Sequence, residues 1–488
     1  MSRLGPGALV WAAFDGETVP GALLDAIGAG RIGGLALFAF KGNLKTKEQV
    51  RAMLREARAA TERSGLPPVP VAVDQEGGSV VRVGYRAVFP SAMAIAATGD
   101  PADAERVAGA VALGLRADGI TVNYAPVCDV NTEPRNPVIG TRSFGDDPER
   151  VGLLAASWIR GSETSGVAAT AKHFPGHGSS VVDPHHTTVD SHVDRAMLEQ
   201  RELVPFRSAI AAGVSSVMTA HVRYPALDTE RIATLSKPIA TDLLRGTLGF
   251  RGLAMTDALD MGGVTQVEIP EALAPRAVEA GIDTVMLFDP ELQLEAAERI
   301  ATGVRPQRVL EAVRRASTFR ERFGGREADE ADDDSARALA RDVAARSITL
   351  RGTLPDLRGT IRVTAFEPRG LSPVEELGDP ISVLERALAS RLGDRLRFAR
   401  DGRVPEGDGP LVVCSSSAFF DPERAAQVRA LLATGGVLCA LRSPYDATLV
   451  PERPALLTYG DVPCSLEALA AVLAGDRAAS GRAPVRLA

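Results

Sequence analysis

The sequence predicts an α/β chain, a (β/α)8 TIM-type barrel followed by a smaller α/β sandwich domain. Three observations carry this expectation. Eight short apolar runs, each the length of a buried parallel strand, punctuate the first 290 or so residues, with amphipathic stretches between them. Polar residues stand directly after six of the runs, and in a parallel barrel the carboxyl ends of the strands face one shared mouth. Beyond Phe323 the composition changes, through Gly324-Gly325 into an acidic stretch, before strand-like runs resume.

The runs are residues 9–13, 35–38, 70–73, 120–123, 167–171, 216–220, 253–256 and 284–288. Between them lie helical patterns such as residues 194–212, where Leu198, Leu203, Phe206 and Ile210 share one face, Asp194 suits the N-cap and Gly213 a stop. A doubly wound sheet is the rival, because periodicity alone cannot close a barrel. The polar strand ends Asp74, Asp129, Lys172-His173, His221, Asp257 and Asp289 favour the barrel, where they would converge. The expected division is a barrel over residues 1–323, an acidic linker and connecting helix over 324–345, and a second domain over 346–488. Glu327, Asp329, Glu330, Asp332, Asp333 and Asp334 read as a solvated linker. Strand-like runs return at 361–365, 411–414 and 436–441.

The 488 residues carry 55 Lys+Arg against 62 Asp+Glu, a net charge of -7. A mildly acidic chain without basic clusters is a poor binder of nucleic acid or anionic membrane, and 5% aromatics leaves little for base stacking. Cys128, Cys414, Cys439 and Cys464 form no CxxC and no zinc spacing, so free thiols in a reducing compartment are expected. The apolar start at residues 8–14 is too short for a signal-peptide core or a membrane span, which needs about 20 residues. It reads as a first strand, and the chain as cytoplasmic.

All six histidines, His173, His177, His185, His186, His192 and His221, fall in about a tenth of the chain. Metal ligation and acid–base chemistry compete to explain them. His173 and His177 have i, i+4 spacing, but Pro175 and Gly176 break a helix between them and HExxH is absent, so neither metal nor other cofactor is expected. Residues 172–185 form a long loop after the fifth strand, in which Asp183 and His185 stand two apart. A carboxylate beside an imidazole fixes its tautomer and stabilises the imidazolium, which suits a general acid/base. Asp257, at the end of the seventh strand, is placed for nucleophilic attack or charge stabilisation, whereas Asp260 reads as a helix start. After the third strand, Asp74-Gln75-Glu76-Gly77-Gly78 with Arg82 combines acid, glycine pair and guanidinium. Such groups suit sugar hydroxyls and substrate oxygens, and neither GxGxxG nor GxxxxGK[ST] is present.

These motifs together resemble glycoside hydrolase family 3. They are VDQEGG, GTRSFG at residues 140–145, KHFPGHG followed by D-x-H, MTAHVRYPALD at 218–228 and MTDALDM. More narrowly, the chain is similar to the family's bacterial β-N-acetylglucosaminidase branch. Arg442-Ser443-Pro444-Tyr445-Asp446 and the end from Ser480 to Val485 resemble the family's second domain. The resemblance implies a retaining exo-β-N-acetylglucosaminidase with Asp257 as nucleophile, His185 as acid/base and Asp183 as its partner. It also implies that Asp74, Arg82, Arg142, Lys172 and His173 grip the N-acetylglucosamine ring of a small-molecule sugar substrate from peptidoglycan or chitin. The chain departs from the usual pattern at Pro184, where Ser or Thr is common, and at Ser79, where Arg is frequent.

Two alternatives stand beside this reading. One is a β-N-acetylglucosaminide phosphorylase: an anionic glutamate acid/base would repel incoming phosphate by ~4 kcal/mol at ~4 Å and an effective dielectric of ~20, and a neutral histidine would not. The other is a catalytically idle sugar-binding protein, against which the intact Asp183, His185 and Asp257 argue.

Overall fold

The eight apolar runs become eight parallel strands: β1 (Val10–Ala12), β2 (Gly34–Ala36), β3 (Val71–Val73), β4 (Val122–Asn123), β5 (Ala168–Phe174), β6 (Ser216–Thr219), β7 (Leu253–Ala258) and β8 (Thr284–Leu287). The computed structural model describes residues 4–181, 189–325, 329–376 and 378–487. Hydrogen bonding runs β1-β8-β7-β6-β5-β4-β3-β2 and back to β1, so the sheet closes and the doubly wound alternative is excluded. Closure is sealed where Trp11 of β1 lies opposite Met286 of β8 on one side and Gly34 of β2 on the other. A side chain at Gly34 would run into the Trp11 indole, which is why this strand starts on glycine.

Helices return the chain from the carboxyl end of each strand to the base of the barrel, and short polar side chains start several of them. Asp100, Asp147 and Asp194 accept from backbone N–H groups two or three residues on, at 2.8–3.0 Å. Asp194 therefore caps as expected, and Gly213 ends that segment with φ +83°. Asp289 caps the helix Pro290–Gly303 rather than facing the mouth. Asp260, expected at a helix start, caps none. Its Oδ2 accepts from the N–H groups of Phe288 and Asp289 at 2.6 and 2.8 Å, tying β7 to the end of β8.

At the base of the barrel, Asp283 precedes β8 and is fully buried among Arg245, Arg308 and Arg315. It also accepts from the Ala254 N–H of β7 at 3.0 Å. Two of these arginines come from the helix Pro306–Phe323, which runs across the base. Arg320 of the same helix donates to the carbonyls of Pro67 and Ile32, just ahead of β3 and β2.

The acidic stretch is not simply solvated. Glu330 pairs with Arg51, Asp333 accepts from Arg86 at 2.9–3.0 Å, and both arginines also hold buried Asp118. The linker is thus strapped to the barrel before the helix Asp333–Ser347, which Asp332 caps. Glu327 lies outside the described residues.

A second sheet follows, with β9 (Thr349–Arg351), β10 (Ile361–Ala365), β11 (Leu396–Arg400), β12 (Leu411–Ser415), β13 (Val437–Ala440) and β14 (Ala455–Leu457) in the order β9-β14-β13-β12-β10-β11. All neighbours are parallel except β9 against β14. The four inner strands are largely buried on both faces, which explains their continuous apolar runs, whereas the edge strands β9 and β11 are more exposed. Cys414 and Cys439 face each other on β12 and β13, and all four cysteines are free and buried. One face of this sheet also packs on the barrel helix Ala92–Ala97 through Met93, Ala94 and Ala97. Polar ties reinforce that junction: Ser91 Oγ donates to the Tyr459 carbonyl at 2.6 Å, and Asn131 Nδ2 to the Tyr445 hydroxyl at 3.0 Å. The chain then returns to the barrel, where Arg482 N donates to Ala97 O at 2.8 Å and Asp146 N to Pro484 O at 3.2 Å. Among the described residues no helix is long and apolar enough to cross a membrane.

Removing a carboxylate shared by buried cations leaves their charge uncompensated, so Asp283→Ala is expected to lower stability by about 3–5 kcal/mol. A urea denaturation midpoint measured beside the wild type checks this. A loss under about 1 kcal/mol would mean that the carbonyls around Arg245 and Arg308 carry the base without the acid.

Candidate active site

Seven strand ends build one cavity of about 200 Å³ at the carboxyl face of the barrel. Asp74, Arg82, Tyr124, Arg142, Lys172, His173, His177, His221 and Asp257 supply its polar lining, and Phe38, Phe40, Met261 and Phe288 an apolar side. The sequence-derived residues Asp74, Arg82, Arg142, Lys172, His173 and Asp257 are therefore brought together. Asp183 and His185 lie outside the described residues.

After β3 the chain makes a hairpin, Gln75–Gly77 against Val80–Val81. Gly77 and Gly78 turn it at φ +93° and +60°, and a Cβ on either would come within 2.6 Å of Pro90 or Ser91. Gln75 exchanges two hydrogen bonds with the Asn123 amide of β4, at 2.9 and 3.0 Å. This turn carries Glu76, which sequence reasoning passed over and which organises the site. Arg142 grips it with Nε and Nη2, each at 2.8 Å, and Lys172 Nζ lies 2.6 Å from both Glu76 and Asp74. Burial disfavours the Glu76 charge, but Arg142 and Lys172 outweigh it and hold the carboxyl far below the usual range. Burial likewise opposes the Lys172 ammonium, and Asp74 and Glu76 more than restore it. The cluster therefore contains two cations and two anions, and its net charge is zero.

Strand β5 continues past its apolar run, so Lys172 and His173 belong to the strand itself. Asp129 does not line the cavity but sits fully buried behind it. Its Oδ2 meets His173 Nδ1 at 2.8 Å, and its Oδ1 accepts from His177 N at 2.7 Å. Because an ionised carboxylate only accepts, Nδ1 of His173 carries the hydrogen, and Nε2 is left for the cavity. Gly176, at φ +130°, passes so close to Glu202 that a Cβ would meet its side chain at 2.8 Å. Burial, with the Asp129 charge adding to it against Arg201, pushes the Glu202 carboxyl up to about 7.

Asp257 is the one residue of β7 that retains exposure, and its Oδ1 accepts from the Ala258 N–H at 2.8 Å. The next carbonyl, Ala258 O, accepts from His221 Nε2 at 3.1 Å, and His221 Nδ1 meets Thr234 Oγ1 at 2.8 Å. His221, which the sequence marked only as a polar strand end, thus steadies the backbone beside Asp257. Burial and the charges of Asp74 and Asp257 drive the Tyr124 hydroxyl well above its ordinary pKa, so it stays protonated as a donor. His192 is exposed. Among the described residues no group of three or more His, Cys, Asp or Glu side chains is arranged to hold a metal ion.

Residues 21–318 match the family described as glycosyl hydrolase family 3, N-terminal domain. The chain belongs to this family. Beta-hexosaminidase A of Pseudoalteromonas piscicida is 37% identical over 289 residues, 55% of this chain and 48% of that protein, so the chain spans about half the length of that relative. A beta-N-acetylglucosaminidase/beta-glucosidase of Cellulomonas fimi is 30% identical over 496 residues, 89% of this chain and 87% of that protein. Among solved structures, a glycoside hydrolase family 3 beta-N-acetylglucosaminidase from Paenibacillus sp. str. FPU-7 superimposes with a TM-score of 0.90 at 33% identity, covering 100% of this chain and 99% of that one.

In this family 3 chain the second domain reaches the cavity. Pro373 and Val374 form part of its wall, Glu376 Oε1 accepts from Arg82 Nη1 at 2.7 Å, and Glu376 N donates to Ser79 O at 2.8 Å. The loop is anchored behind by Arg442, which lies 3.2 Å from Glu375 and 2.7 Å from Asp461. No local pattern in residues 371–376 announces this, since the contact joins residues 294 apart.

Glu376→Ala is expected to raise KM about tenfold through loss of a charge-assisted hydrogen bond to Arg82, with kcat changed less than about twofold. Steady-state kinetics on the same glycoside checks it, and Glu376→Asp should recover part of the loss. A fall in kcat at unchanged KM would mean that Arg82 acts only in the transition state.

Proposed function

We propose that the chain is a retaining exo-β-N-acetylglucosaminidase, removing terminal β-linked N-acetylglucosamine from small glycosides such as peptidoglycan or chitin fragments. The observation behind this reading is the pairing of Asp257, facing the cavity from the end of β7, with a wall of ionic donors and acceptors opposite it. The full-length likeness to the Paenibacillus enzyme supports the choice of sugar. A cavity of about 200 Å³ suits one ring, hence exo action. Four buried free thiols suit a reducing cytoplasm.

In this reading Asp257 attacks C1 while the bond from C1 to the aglycone oxygen breaks, and that oxygen takes its proton from the His185 imidazolium. The products are the aglycone alcohol and a glycosyl ester on Asp257. Water then adds at C1, returns one proton to His185 and frees the Asp257 carboxylate. Two inversions at C1 give net retention. Asp183 keeps the imidazole oriented and its protonated form stabilised. Asp74, Lys172, Arg142, His173 and Arg82 hold the ring hydroxyls and the acetamido group. Because the ionic cluster is neutral overall, it does not oppose the positive charge that develops at C1. Phosphate in place of water would make the same chemistry a phosphorolysis.

An activated 2-fluoro sugar is expected to label the wild type at Asp257, and Asp257→Ala to form no glycosyl-enzyme. Peptide mapping reads the attachment site, turnover in chelator the metal requirement, and product analysis with and without phosphate the acceptor. Labelling at Asp260 or Asp289 would refute the assignment. Sugar 1-phosphate in place of free sugar would make the enzyme a phosphorylase.

The second expectation concerns leaving groups. His185→Ala should slow glycosylation only mildly with a nitrophenolate, which departs with little help. It should approach the ~10²–10⁴-fold loss of general acid catalysis with a sugar hydroxyl. Asp183→Ala should follow the same trend less steeply, and azide should partly rescue His185→Ala in the second step. Equal losses across a leaving-group series would place the acid/base elsewhere.

A further inference from the structure

The opposite end of the barrel holds a larger cavity, of about 490 Å³, between the helix Pro306–Phe323 and the turns that lead into β6 and β7. Composition suggested a chain without basic clusters, yet the fold makes one here. Arg251, Arg314, Arg315 and Arg322 line this cleft, and Arg245 and Arg308 stand directly behind it on Asp283. Among the described residues, the carboxylates that pair with these six are Asp283, Glu163 at 3.1 Å from Arg322, and Glu311 at 3.7 Å from Arg308.

Structural duty accounts for part of the cluster only. Arg245 and Arg308 close the base of the barrel by donating to the carbonyls of Gly252 and Ile282 at 2.7 and 2.8 Å. Among the described residues neither Arg251 nor Arg314 meets a carboxylate, and Arg251 donates only to the Arg245 carbonyl. Burial is the main cause that brings Arg245 down to about 10; the Asp283 charge opposes it and the nearby Arg315 and Arg308 charges add to it. In a chain of net charge -7 this concentration is not a by-product of composition. Beneath the guanidinium groups the floor is apolar, made by Val214, Leu253 and Phe319. The volume lies within the ~300–1,000 Å³ usual for small-molecule sites.

We propose that this cleft binds a small organic phosphate, its phosphoryl oxygens held by Arg251, Arg314 and Arg315 and its ring body resting on the apolar floor. Guanidinium groups match phosphate oxygens in pairs, and the floor rewards a ring that inorganic phosphate lacks. The cleft lies at the end of the barrel away from Asp257, so its occupant takes no part in turnover. It acts by binding the folded chain and stabilising it. Nucleotides and sugar phosphates share the required chemistry.

Calorimetric titration of the full chain at about 0.15 M salt, where exposed charges beyond ~8 Å are screened, tests the idea with AMP, glucose 6-phosphate, inorganic phosphate, adenosine and glucose as probes. The expected result is saturable binding of AMP or glucose 6-phosphate, at least about tenfold tighter than its neutral parent and than inorganic phosphate. AMP alone would identify a nucleotide site, and glucose 6-phosphate alone a sugar-phosphate site. The bound probe should raise Tm, leave glycoside turnover unchanged, and bind at least about tenfold more weakly to Arg314→Gln and to Arg251→Ala/Arg314→Gln. Both substitutions alter exposed side chains, and unchanged turnover and ligand-free Tm would confirm intact folding. The proposal is overturned by no saturable binding, by equal affinity for inorganic phosphate, by full affinity in both variants, or by competition with a sugar bound at the barrel mouth.

Discussion

The carboxylate of Glu76 is the constraint on which the barrel mouth depends. An isolated buried carboxylate costs several kcal/mol to desolvate, so it survives here only by collecting partners. Arg142 brings in the loop after β4, Lys172 brings in the end of β5, and Lys172 in turn holds Asp74 at the end of β3. Three adjacent strand ends are thereby fixed relative to one another by one anion. The geometry is bidentate on the arginine side and short on the lysine side, so these side chains have little freedom before substrate arrives. Asp129 repeats the device one layer deeper, gathering His173 and the backbone of His177.

Much of this was readable from residue order. The apolar runs located all eight barrel strands, because a strand buried on both faces leaves no alternative to continuous hydrophobicity. Asp74, Lys172, His173 and Asp257 followed from their place after those runs. The same rule overreached at Asp289, a helix cap, and at Asp129, which serves from behind the cavity. A polar residue after a strand can satisfy backbone donors as readily as it can face a mouth, and only distance separates the two roles. Glu76 was in plain view inside VDQEGG, but its importance comes from partners 66 and 96 residues away, which no local pattern encodes. The acidic linker is largely exposed, as a charge run suggests, but its ties to Arg51 and Arg86 are likewise invisible to any local pattern.

The second domain is less an appendage than a wall. Its sheet packs on the helix Ala92–Ala97, its Tyr445 meets Asn131, and its loop lays Pro373 and Val374 against the cavity. Arg82 therefore answers to two folding units at once, sitting on a barrel hairpin while its guanidinium is held from the other domain. The two ends of the barrel have also diverged in electrostatic character. At the mouth, opposite charges cancel around a small cavity; at the base, guanidinium groups outnumber their carboxylates around a larger one.

The order in which these parts leave the ribosome follows from that cross-domain wall. The last barrel strand ends at Leu287, whereas the residues that close the cavity are Pro373 and Val374. At synthesis rates of roughly 5–20 residues per second, the barrel can close on the order of 4–17 s before its mouth is complete. During that interval the hairpin bearing Arg82 faces water in place of Glu376. A nascent barrel is thus a unit whose mouth still lacks one wall, and that wall arrives only when the second domain has been made and docked.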